Sequence, residues 1–229
     1  MFAVIRKKSI IFAVVLVFVI VSTVGVGLIA NATALASVSI GKTVVIDAGH
    51  GGIDGGVTGK YSGVKESQIN LAISKSLKNY LERSGYTVVM TRTNNDGLYQ
   101  NTASNKKRSD MEKRRQIIES AKPDLVVSIH QNYYPLSQVK GAQVFYAQDS
   151  EVGREYATVM QNSLNNMLGS NRVEKSGDYF VIKCSQYPSL LIECGFLSNA
   201  EEERMLVKAT YQKKIAYAIF SAIHSLMGE

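Results

Sequence analysis

The stretch VVIDAGHGG, residues 44–52, decides the fold of this chain. Its apolar first half is typical of a buried strand, and its glycines permit a sharp bend around His50. The chain has three histidines, and a second one, His130, ends another apolar run at residues 125–129. Two strand ends that each carry an imidazole indicate a metal site, although two hydrogen-bonded loop histidines would give the same pattern.

The composition is that of a globular protein with a modest positive charge. Hydrophobic residues make up 45% of the 229 residues, which is enough for a full core. The formal net charge is +7; Arg6, Lys7 and Lys8 supply three of these charges and no acid precedes Asp47, so residues after 36 carry +4. These charges form no basic stripe interleaved with aromatics, which argues against nucleic acid and suits an anionic wall polymer or membrane surface.

The first 36 residues are predicted to be a signal peptide or a membrane anchor. Three cations precede an apolar run over residues 10–30, which is long enough to span a bilayer. Because positive charge stays on the cytoplasmic side, the rest of the chain is expected to be exported. Ala34-Leu35-Ala36 fits a signal-peptidase site, so secretion and anchoring both stay open. Residues 37–41 are then a linker, and residues 42–229 form one domain.

Strands and helices alternate along this domain. Apolar runs predict strands at 42–47, 86–91, 125–130, 142–147, 179–183 and 189–194. Helical spacing of apolar residues predicts helices at 65–83, 111–121, 151–168 and 210–226, and Asn199 is expected to cap another that begins at residue 200. This order predicts an α/β fold: a three-layer domain with a twisted, largely parallel central sheet flanked by helices. Ligands bind at the carboxyl ends of the strands in such sheets.

A catalytic zinc site takes three protein ligands and keeps one position for water. Glu66, in the first turn of the helix after the glycine-rich loop, is one candidate for the third ligand. Asp47 and Asp54 are its rivals, and Asp47 could instead orient a ligand from behind. Glu193 follows the apolar run at 190–192, where a carboxylate is costly unless it serves a site. It suggests a general base beside a metal-bound water, and the alternative is a carboxylate that bonds to loop backbone.

The two cysteines and the third histidine are expected to be structural. Cys184 and Cys194 fall in apolar runs, and their spacing matches no zinc motif. Free buried thiols are therefore favoured over the disulfide that an exported protein permits. His224 lies on or near the apolar face of the last predicted helix and is interpreted as part of its packing.

Four segments of the chain together resemble a known family. They occur in the order VIDAGHGG at 45–52, Lys65-Glu66, SIHQN at 128–132 and PSLLIECGFLSN at 188–199. They resemble the zinc-dependent N-acetylmuramoyl-L-alanine amidases of the amidase-3 type, which cut bacterial cell-wall peptidoglycan. One such segment alone is weak, whereas four in order at this spacing are specific, and the resemblance covers residue 42 to the C-terminus.

The resemblance implies an amidase catalytic domain at 42–229 that holds one zinc ion per chain, with His50, Glu66 and His130 as its ligands. It implies that Glu193 takes the proton of the attacking water and later passes it to the leaving amine. The glycines beside His50 are expected to clear space for a glycan-linked peptide. Three further residues are expected to support the site: Asp47 from behind the ligands, Arg114 in the helix before the second histidine, and Asn132 in the loop after it.

The implied activity is cleavage of the amide bond between the lactyl group of N-acetylmuramic acid and L-alanine of the stem peptide. An anchored chain without a wall-binding module is most similar to the sporulation and germination-specific amidases that help to form muramic-δ-lactam in spore cortex. The alternatives are a vegetative cell-separation amidase, another wall zinc hydrolase (a peptidase or deacetylase), and a non-catalytic peptidoglycan-binding module. Expected partners are peptidoglycan, the membrane through the N-terminal segment and a regulatory protein, at the cell wall or in the forespore intermembrane space.

Overall fold

The computed structural model describes residues 40–228 together with Leu16, and the elements below all lie in one unit, residues 38–229. The predicted signal peptide or anchor, residues 1–36, lies outside the described residues apart from Leu16. Within the described part of the chain, no helix combines the length and apolar character needed to cross a membrane.

Strands and helices alternate as the sequence predicts. The strands are β1 Thr43–Ala48, β2 Thr87–Met90, β3 Leu125–Asn132, β4 Gln143–Tyr146, β5 Lys175–Ser176 and β6 Ser189–Phe196. The helices are α1 Glu66–Arg83, α2 Lys106–Ala121, α3 Glu151–Leu168, α4 Phe180–Lys183, α5 Ala200–Leu206 and α6 Ala209–Met227.

The strands form one sheet in the order β2-β1-β3-β6-β4-β5. The pairings of β1 with β2, β1 with β3, β3 with β6 and β4 with β5 are parallel, and β4 pairs antiparallel with β6. The predicted largely parallel sheet is confirmed. Because β1, β3 and β6 run in the same direction, their carboxyl ends meet at one edge, where ligands bind in sheets of this kind.

Alternate residues of β1 enter different layers of core. Val44 and Ile46 are fully buried on the side that packs against α1, α3 and α6. Val45 is fully buried on the other side, in a smaller core with Ile118 of α2 and Val181 of α4. This period of two places helices on both faces of the sheet and confirms the three-layer α/β architecture.

Three elements differ from the prediction, one of which, the short strand β5 at Lys175–Ser176, was not predicted at all. Residues 179–183 were expected to be a strand but form helix α4 at Phe180–Lys183, where the neighbouring residues Val181 and Ile182 both enter the smaller core. Consecutive residues of a strand point to opposite faces, so only a helical turn buries both against the same layer. Helix α2 begins at Lys106 rather than at residue 111, because the side chain of Asn105 accepts the Arg108 amide at 2.9 Å and caps the helix.

The local structural expectations for two other groups are confirmed. The side chain of Asn199 caps α5 by accepting the amides of Glu201 and Glu202, both at 3.0 Å. Cys184 and Cys194 are both free thiols as expected; Cys194 is buried, whereas Cys184 is only half-buried.

Candidate metal centre

The chain leaves β1 through a bend at His50. This residue has φ 61°, in the left-handed region that non-glycine residues rarely adopt, and Gly51 and Gly52 follow with φ 137° and 61°. Arg114 donates from Nη2 to the His50 carbonyl at 2.7 Å and so holds the bend from below. The buried guanidinium of Arg114 thereby stabilises the unfavourable backbone conformation of His50. The bend places the imidazole over the end of the strand.

The three predicted metal ligands lie together at this edge. Nε2 of His50 is 3.1 Å, and Nδ1 of His130 is 3.0 Å, from the same oxygen, Oε1 of Glu66. The two imidazole rings meet edge to face with centroids 4.9 Å apart. One donor atom from each residue lies within 4.8 Å of the others. Two imidazole nitrogens and one carboxylate oxygen form the donor set of catalytic zinc sites, so the residues present fit that ion.

The rival carboxylates occupy other positions. Asp54 approaches the opposite ring nitrogen of His50, with Oδ2 3.0 Å from Nδ1. This is the place of a group that orients a metal-binding histidine. Asp47 points into the smaller core, where it accepts from Ser128 at 2.6 Å and from Thr91 at 2.8 Å. Among the three candidate carboxylates, Glu66 is therefore the one that meets both imidazoles.

The glycines of this loop give room to ligand side chains. A Cβ on Gly49 would come within 2.3 Å of the His130 ring, and one on Gly56 would come within 2.4 Å of the Glu66 carboxylate. A Cβ on Gly52 would meet the backbone of Gly97 at 2.7 Å. The expectation that the glycines beside His50 leave open space for substrate is therefore replaced by a packing role, since the protein itself fills that space.

His50 and Glu66 shift each other's pKa. Burial is the largest influence on His50 and acts to lower its pKa, but the hydrogen bonds and charges of Glu66 and Asp54 outweigh it and raise that pKa to about 9. Burial acts to raise the pKa of Glu66, but hydrogen bonds with His130 and His50 hold it far below the usual value. Glu66 is therefore ionised at neutral pH, the state in which a carboxylate binds a metal ion.

Glu193 lies on the strand next to His130. Their Cα atoms are register partners in the parallel pairing of β3 with β6, and Glu193 is 8% exposed. Its Oε2 is buried and has no hydrogen-bond partner among the described residues. Burial raises the pKa of Glu193 to about 7, with the nearby Glu66 charge acting in the same direction and His130 against it. A carboxyl group with this pKa can accept and release a proton near neutral pH.

Arg114 and Asp47 form an ion pair beneath the histidines. Nη1 of Arg114 is 2.5 Å from Asp47 Oδ1, and its Nε is 2.7 Å from Asp110 Oδ2. Arg114 also donates to the Ala48 carbonyl at 2.9 Å. Burial acts to raise the pKa of Asp47, but Arg114 and Ser128 outweigh it and lower that pKa to about 2. Arg114 therefore joins the Asp47 carboxylate to the backbone carbonyls at the end of β1 and in the bend that follows it.

Arg92 is a member of this site that the sequence reasoning missed. It is 3% exposed, and it donates to the carbonyls of Ala48 at 2.8 Å, Gly49 at 2.9 Å and Ser67 at 2.8 Å. These bonds join the end of β1 to the first turn of α1, and thus the segment of His50 to the helix of Glu66. Its position in the sequence could have indicated this role, because Arg92 closely follows β2 and so lies at the same edge of the sheet as the histidines.

Asn70 is a second residue that was missed. Its side-chain amide donates to Glu66 Oε1 and to the Gly49 carbonyl, both at 3.2 Å, and its oxygen accepts from the Gln131 side chain at 3.1 Å. Asn70 lies four residues after Glu66 in α1, a helical spacing that places both on one face. It holds the carboxylate in place from behind.

Two residues lie apart from the cluster. Asn132 follows a shift in the β3–β6 register; its side-chain oxygen accepts the Tyr133 amide at 2.8 Å, and its carbonyl accepts the Leu197 amide at 2.9 Å. Asn132 therefore ends strand β3, where it is the register partner of Phe196, and does not lie in the loop that the sequence predicted. His224 contacts the Tyr86 hydroxyl at 3.2 Å on α6, which agrees with its structural interpretation.

Comparison with known proteins identifies the family of the chain. The Amidase_3 family, described as N-acetylmuramoyl-L-alanine amidase, matches residues 44–225. The germination-specific N-acetylmuramoyl-L-alanine amidase of Bacillus subtilis (strain 168) is 31% identical over 190 residues, which cover 80% of this chain and 78% of that protein. The N-acetylmuramoyl-L-alanine amidase LytC of the same organism is 33% identical over 183 residues, which cover 79% of this chain and 34% of LytC.

Solved structures agree with this match. The CwlD amidase from Clostridioides difficile, solved in complex with the GerS lipoprotein, has a TM-score of 0.79 and 38% identity over 82% of this chain and 98% of that chain. The catalytic domain of CwlV, an N-acetylmuramoyl-L-alanine amidase from Bacillus (Paenibacillus) polymyxa var. colistinus, has a TM-score of 0.73 and 30% identity over 82% of this chain and 98% of that chain. This chain therefore belongs to the Amidase_3 family of N-acetylmuramoyl-L-alanine amidases, enzymes that act on peptidoglycan.

Proposed function

We propose that this chain is a zinc-dependent amidase that cleaves the bond between the lactyl group of N-acetylmuramic acid and L-alanine. One observation carries the proposal: a single oxygen of Glu66 meets one nitrogen of His50 and one of His130. These three residues would hold one zinc ion per chain. When bound, the ion would supply a Lewis acid and lower the pKa of its water toward neutrality.

Glu193 is proposed to move the proton of the reaction. As a carboxylate it accepts a proton from the attacking water while the water oxygen bonds to the lactyl carbonyl carbon. It then gives that proton to the alanine nitrogen as the carbon–nitrogen bond breaks. The products are the lactyl carboxylate and a stem peptide with a free amine. A pKa of about 7 supports both steps, since the group exchanges protons readily near neutral pH.

The residues around the ligands are proposed to keep the site in register. Asp54 accepts from His50 Nδ1 and so leaves Nε2 directed at Glu66. Asn70 holds the Glu66 carboxylate. Arg92 and Arg114 bond to the carbonyls at the end of β1, including that of His50. None of these contacts involves a reacting atom, so we assign them positioning roles.

Product analysis tests the proposed reaction. Purified protein is stripped with a chelator, reloaded with zinc and given muropeptides, and the products are weighed by mass spectrometry. Hydrolysis that separates the whole stem peptide from the glycan, and that requires reloading, is the expected result. A deacetylase would leave the stem attached and remove an acetyl group, whereas a peptidase would leave alanine on the lactyl group. Either product would contradict the proposal.

We also propose that the amidase acts in spore cortex, in the formation of muramic-δ-lactam. The similarity to the germination-specific amidase of Bacillus subtilis supports this role. The cortex of a deletion strain should then lack the lactam, as measured by muropeptide analysis. Chained vegetative cells with normal cortex lactam would instead indicate a role in cell separation. That role is the alternative that the sequence left open.

Export and a protein partner complete the proposal. Residues 1–36 are proposed to carry the domain out of the cytoplasm as a signal peptide or anchor, with residues 37–41 as a linker and residues 42–229 as the catalytic domain. Cell fractionation of the full chain and of a chain that lacks this segment tests it.

The CwlD amidase was solved with the GerS lipoprotein, which supports a lipoprotein partner here too. Co-purification with a lipoprotein from sporulating cells is expected, and a chain that purifies alone and fully active would contradict this part.

A further inference from the structure

A cleft opens from the histidines toward the start of helix α2. Three adjoining cavities of about 290, 310 and 410 Å³ share Lys107 and Met111 in their walls. The cavity of about 290 Å³ is also lined by His50 and His130. This cavity therefore connects the two histidines with the space around Lys107.

The cavity beside the histidines combines apolar side chains with one cation that forms no ion pair among the described residues. Met111, Tyr179 and Phe180 line the cavity beside the histidines, and Phe180 is 47% exposed. Three carboxylates also line that cavity, but each is engaged: Asp47 pairs with Arg114 at 2.5 Å, Asp54 with His50 at 3.0 Å and Asp178 with Lys183 at 2.6 Å.

Lys107 forms no ion pair within the part of the chain that the structure describes. Its charge acts on Asp54 from a distance and favours the ionised form of that carboxylate. Among the described residues, the cavity beside the histidines therefore offers one unpaired ammonium group to a ligand, because its other cation, Arg114, pairs with Asp47 and Asp110.

The stability of helix α2 does not account for a cation at this position. Lys106, Lys107 and Arg108 occupy the first turn, which holds no acidic residue, although the peptide dipole favours acids there. Lys106 lies over the ring of Tyr99 at 5.3 Å from its centroid. Lys107 has no such contact and faces the cavities instead, which points to an anionic ligand.

We propose that this cleft binds the stem peptide on the leaving side of the scissile bond, with Lys107 paired to the carboxylate of the second stem residue. The inference rests on the proposed function, which places the scissile amide at the histidines. The leaving group begins with L-alanine, and the next residue is a γ-linked D-glutamate whose α-carboxylate is either free or amidated. Lys107 would thus distinguish stems that keep this charge from stems in which it is an amide, while the apolar wall receives the peptide backbone and methyl group.

The test compares N-acetylmuramoyl-L-alanyl-D-glutamate with its D-isoglutamine counterpart, which differs only by the amide. For the zinc-loaded full chain we expect a KM about fivefold lower for the carboxylate substrate, the scale of a partly exposed ion pair, and a similar kcat. Lys107→Met should abolish this preference, because the KM of the carboxylate substrate rises to that of the amide substrate. Lys113→Met is the matched control, since Lys113 is exposed on the same helix but lines none of the three cavities, and it should keep the preference.

A second arm separates this inference from the proposed function. Calorimetry measures binding of the dipeptides L-alanyl-D-glutamate and L-alanyl-D-isoglutamine to zinc-loaded Glu193→Gln protein, where no turnover is needed. Loss of both hydrolytic activities in the wild type would refute the proposed function, and the dipeptides would still decide the role of Lys107. A carboxylate preference that Lys107→Met removes supports the inference. Equal or absent binding of the two dipeptides, or a preference that survives Lys107→Met, overturns it.

Discussion

Two polar layers lie one above the other at the same edge of the sheet. The outer cluster consists of His50, Glu66, His130 and Glu193, and the inner network of Asp47, Asp110, Arg92 and Arg114. The two imidazoles of the outer cluster are 23% and 18% exposed, whereas the side chains of Arg114 and Asp47 are 1% and 2% exposed. Both layers are rich in charge and both border the cavity beside the histidines, His50 and His130 from the outer cluster and Asp47 and Arg114 from the inner network, but the inner side chains are almost fully buried.

The layers differ in how their polar atoms are used. Arg92 and Arg114 donate hydrogen bonds to carboxylates and to the carbonyls at the end of β1, so the polar atoms of the inner network stabilise the fold. In the outer cluster, Glu193 keeps a buried oxygen without a partner among the described residues. The inner network therefore holds the backbone that carries His50, a member of the outer cluster. Four experiments test this division of roles.

The largest effect is expected from His130→Ala in the outer cluster. This variant removes one of the three proposed zinc ligands. Loss of a residue that only orients a ligand weakens metal affinity by about 10- to 100-fold. Loss of a ligand itself should therefore weaken zinc binding by more than about 100-fold and abolish turnover. Competition with a chromophoric chelator measures the affinity. Zinc binding that matches the wild type would remove His130 from the site. His224→Ala is the control, because it alters a histidine outside the cluster.

Glu193→Gln should separate chemistry from metal binding. Loss of the proton carrier is expected to reduce kcat by about a thousandfold, within the range for general acid–base groups. Zinc affinity should be retained, and thermal stability should not fall, since the change removes a buried carboxyl that lacks a hydrogen-bond partner at Oε2. Steady-state kinetics, chelator competition and thermal unfolding measure the three quantities. Turnover near the wild-type rate would show that another group moves the proton.

Arg114→Met should act on the fold instead. It leaves Asp47 as a buried charge without its cation, which is expected to reduce the free energy of unfolding by about 3–5 kcal/mol. Arg115→Met is the matched control on the same helix, because Arg115 pairs at the surface with Glu112 and Glu119 and should leave stability nearly unchanged. Denaturant unfolding of both variants decides the point. Equal losses for the two would mean that the inner network is not the buried support described above.

The smallest effect concerns acid. The folded-state pKa of Asp47 lies at about 2, below its usual 3.8, so its ionisation contributes stability above that usual value and the contribution is lost as the pH falls from about 4 to about 2. The difference in unfolding free energy between wild type and Asp47→Asn should therefore shrink by about 2 kcal/mol across this window. Denaturant unfolding at several pH values measures it. A difference that does not change with pH would show that Asp47 titrates normally.

Particular residues show how far sequence reasoning reached into the site. The ends of β1 and β3 were predicted from apolar runs, and the parallel direction of these strands brings His50 and His130 to one edge. Reasoning from residues left Glu66, Asp47 and Asp54 open as the third ligand. The contacts separate them, because Glu66 meets both imidazoles while Asp47 faces Arg114. Which of two nearby carboxylates turns toward a histidine depends on packing, which no local pattern records.

The sequence by itself determined the alternation of strands and helices, the family segments and the identities of the candidate site residues, because periodicity, capping and motif spacing are local properties. Only the tertiary structure decided that residues 180–183 form a helix, that Gly49 makes room for the His130 ring, and that Arg92 joins the end of β1 to α1. Each of these depends on contacts between segments far apart in the chain. Val181 and Ile182 are buried against one layer only when that layer packs against them. In the same way, the His130 ring reaches Gly49, and Arg92 reaches the carbonyls at the end of β1, only when those segments meet.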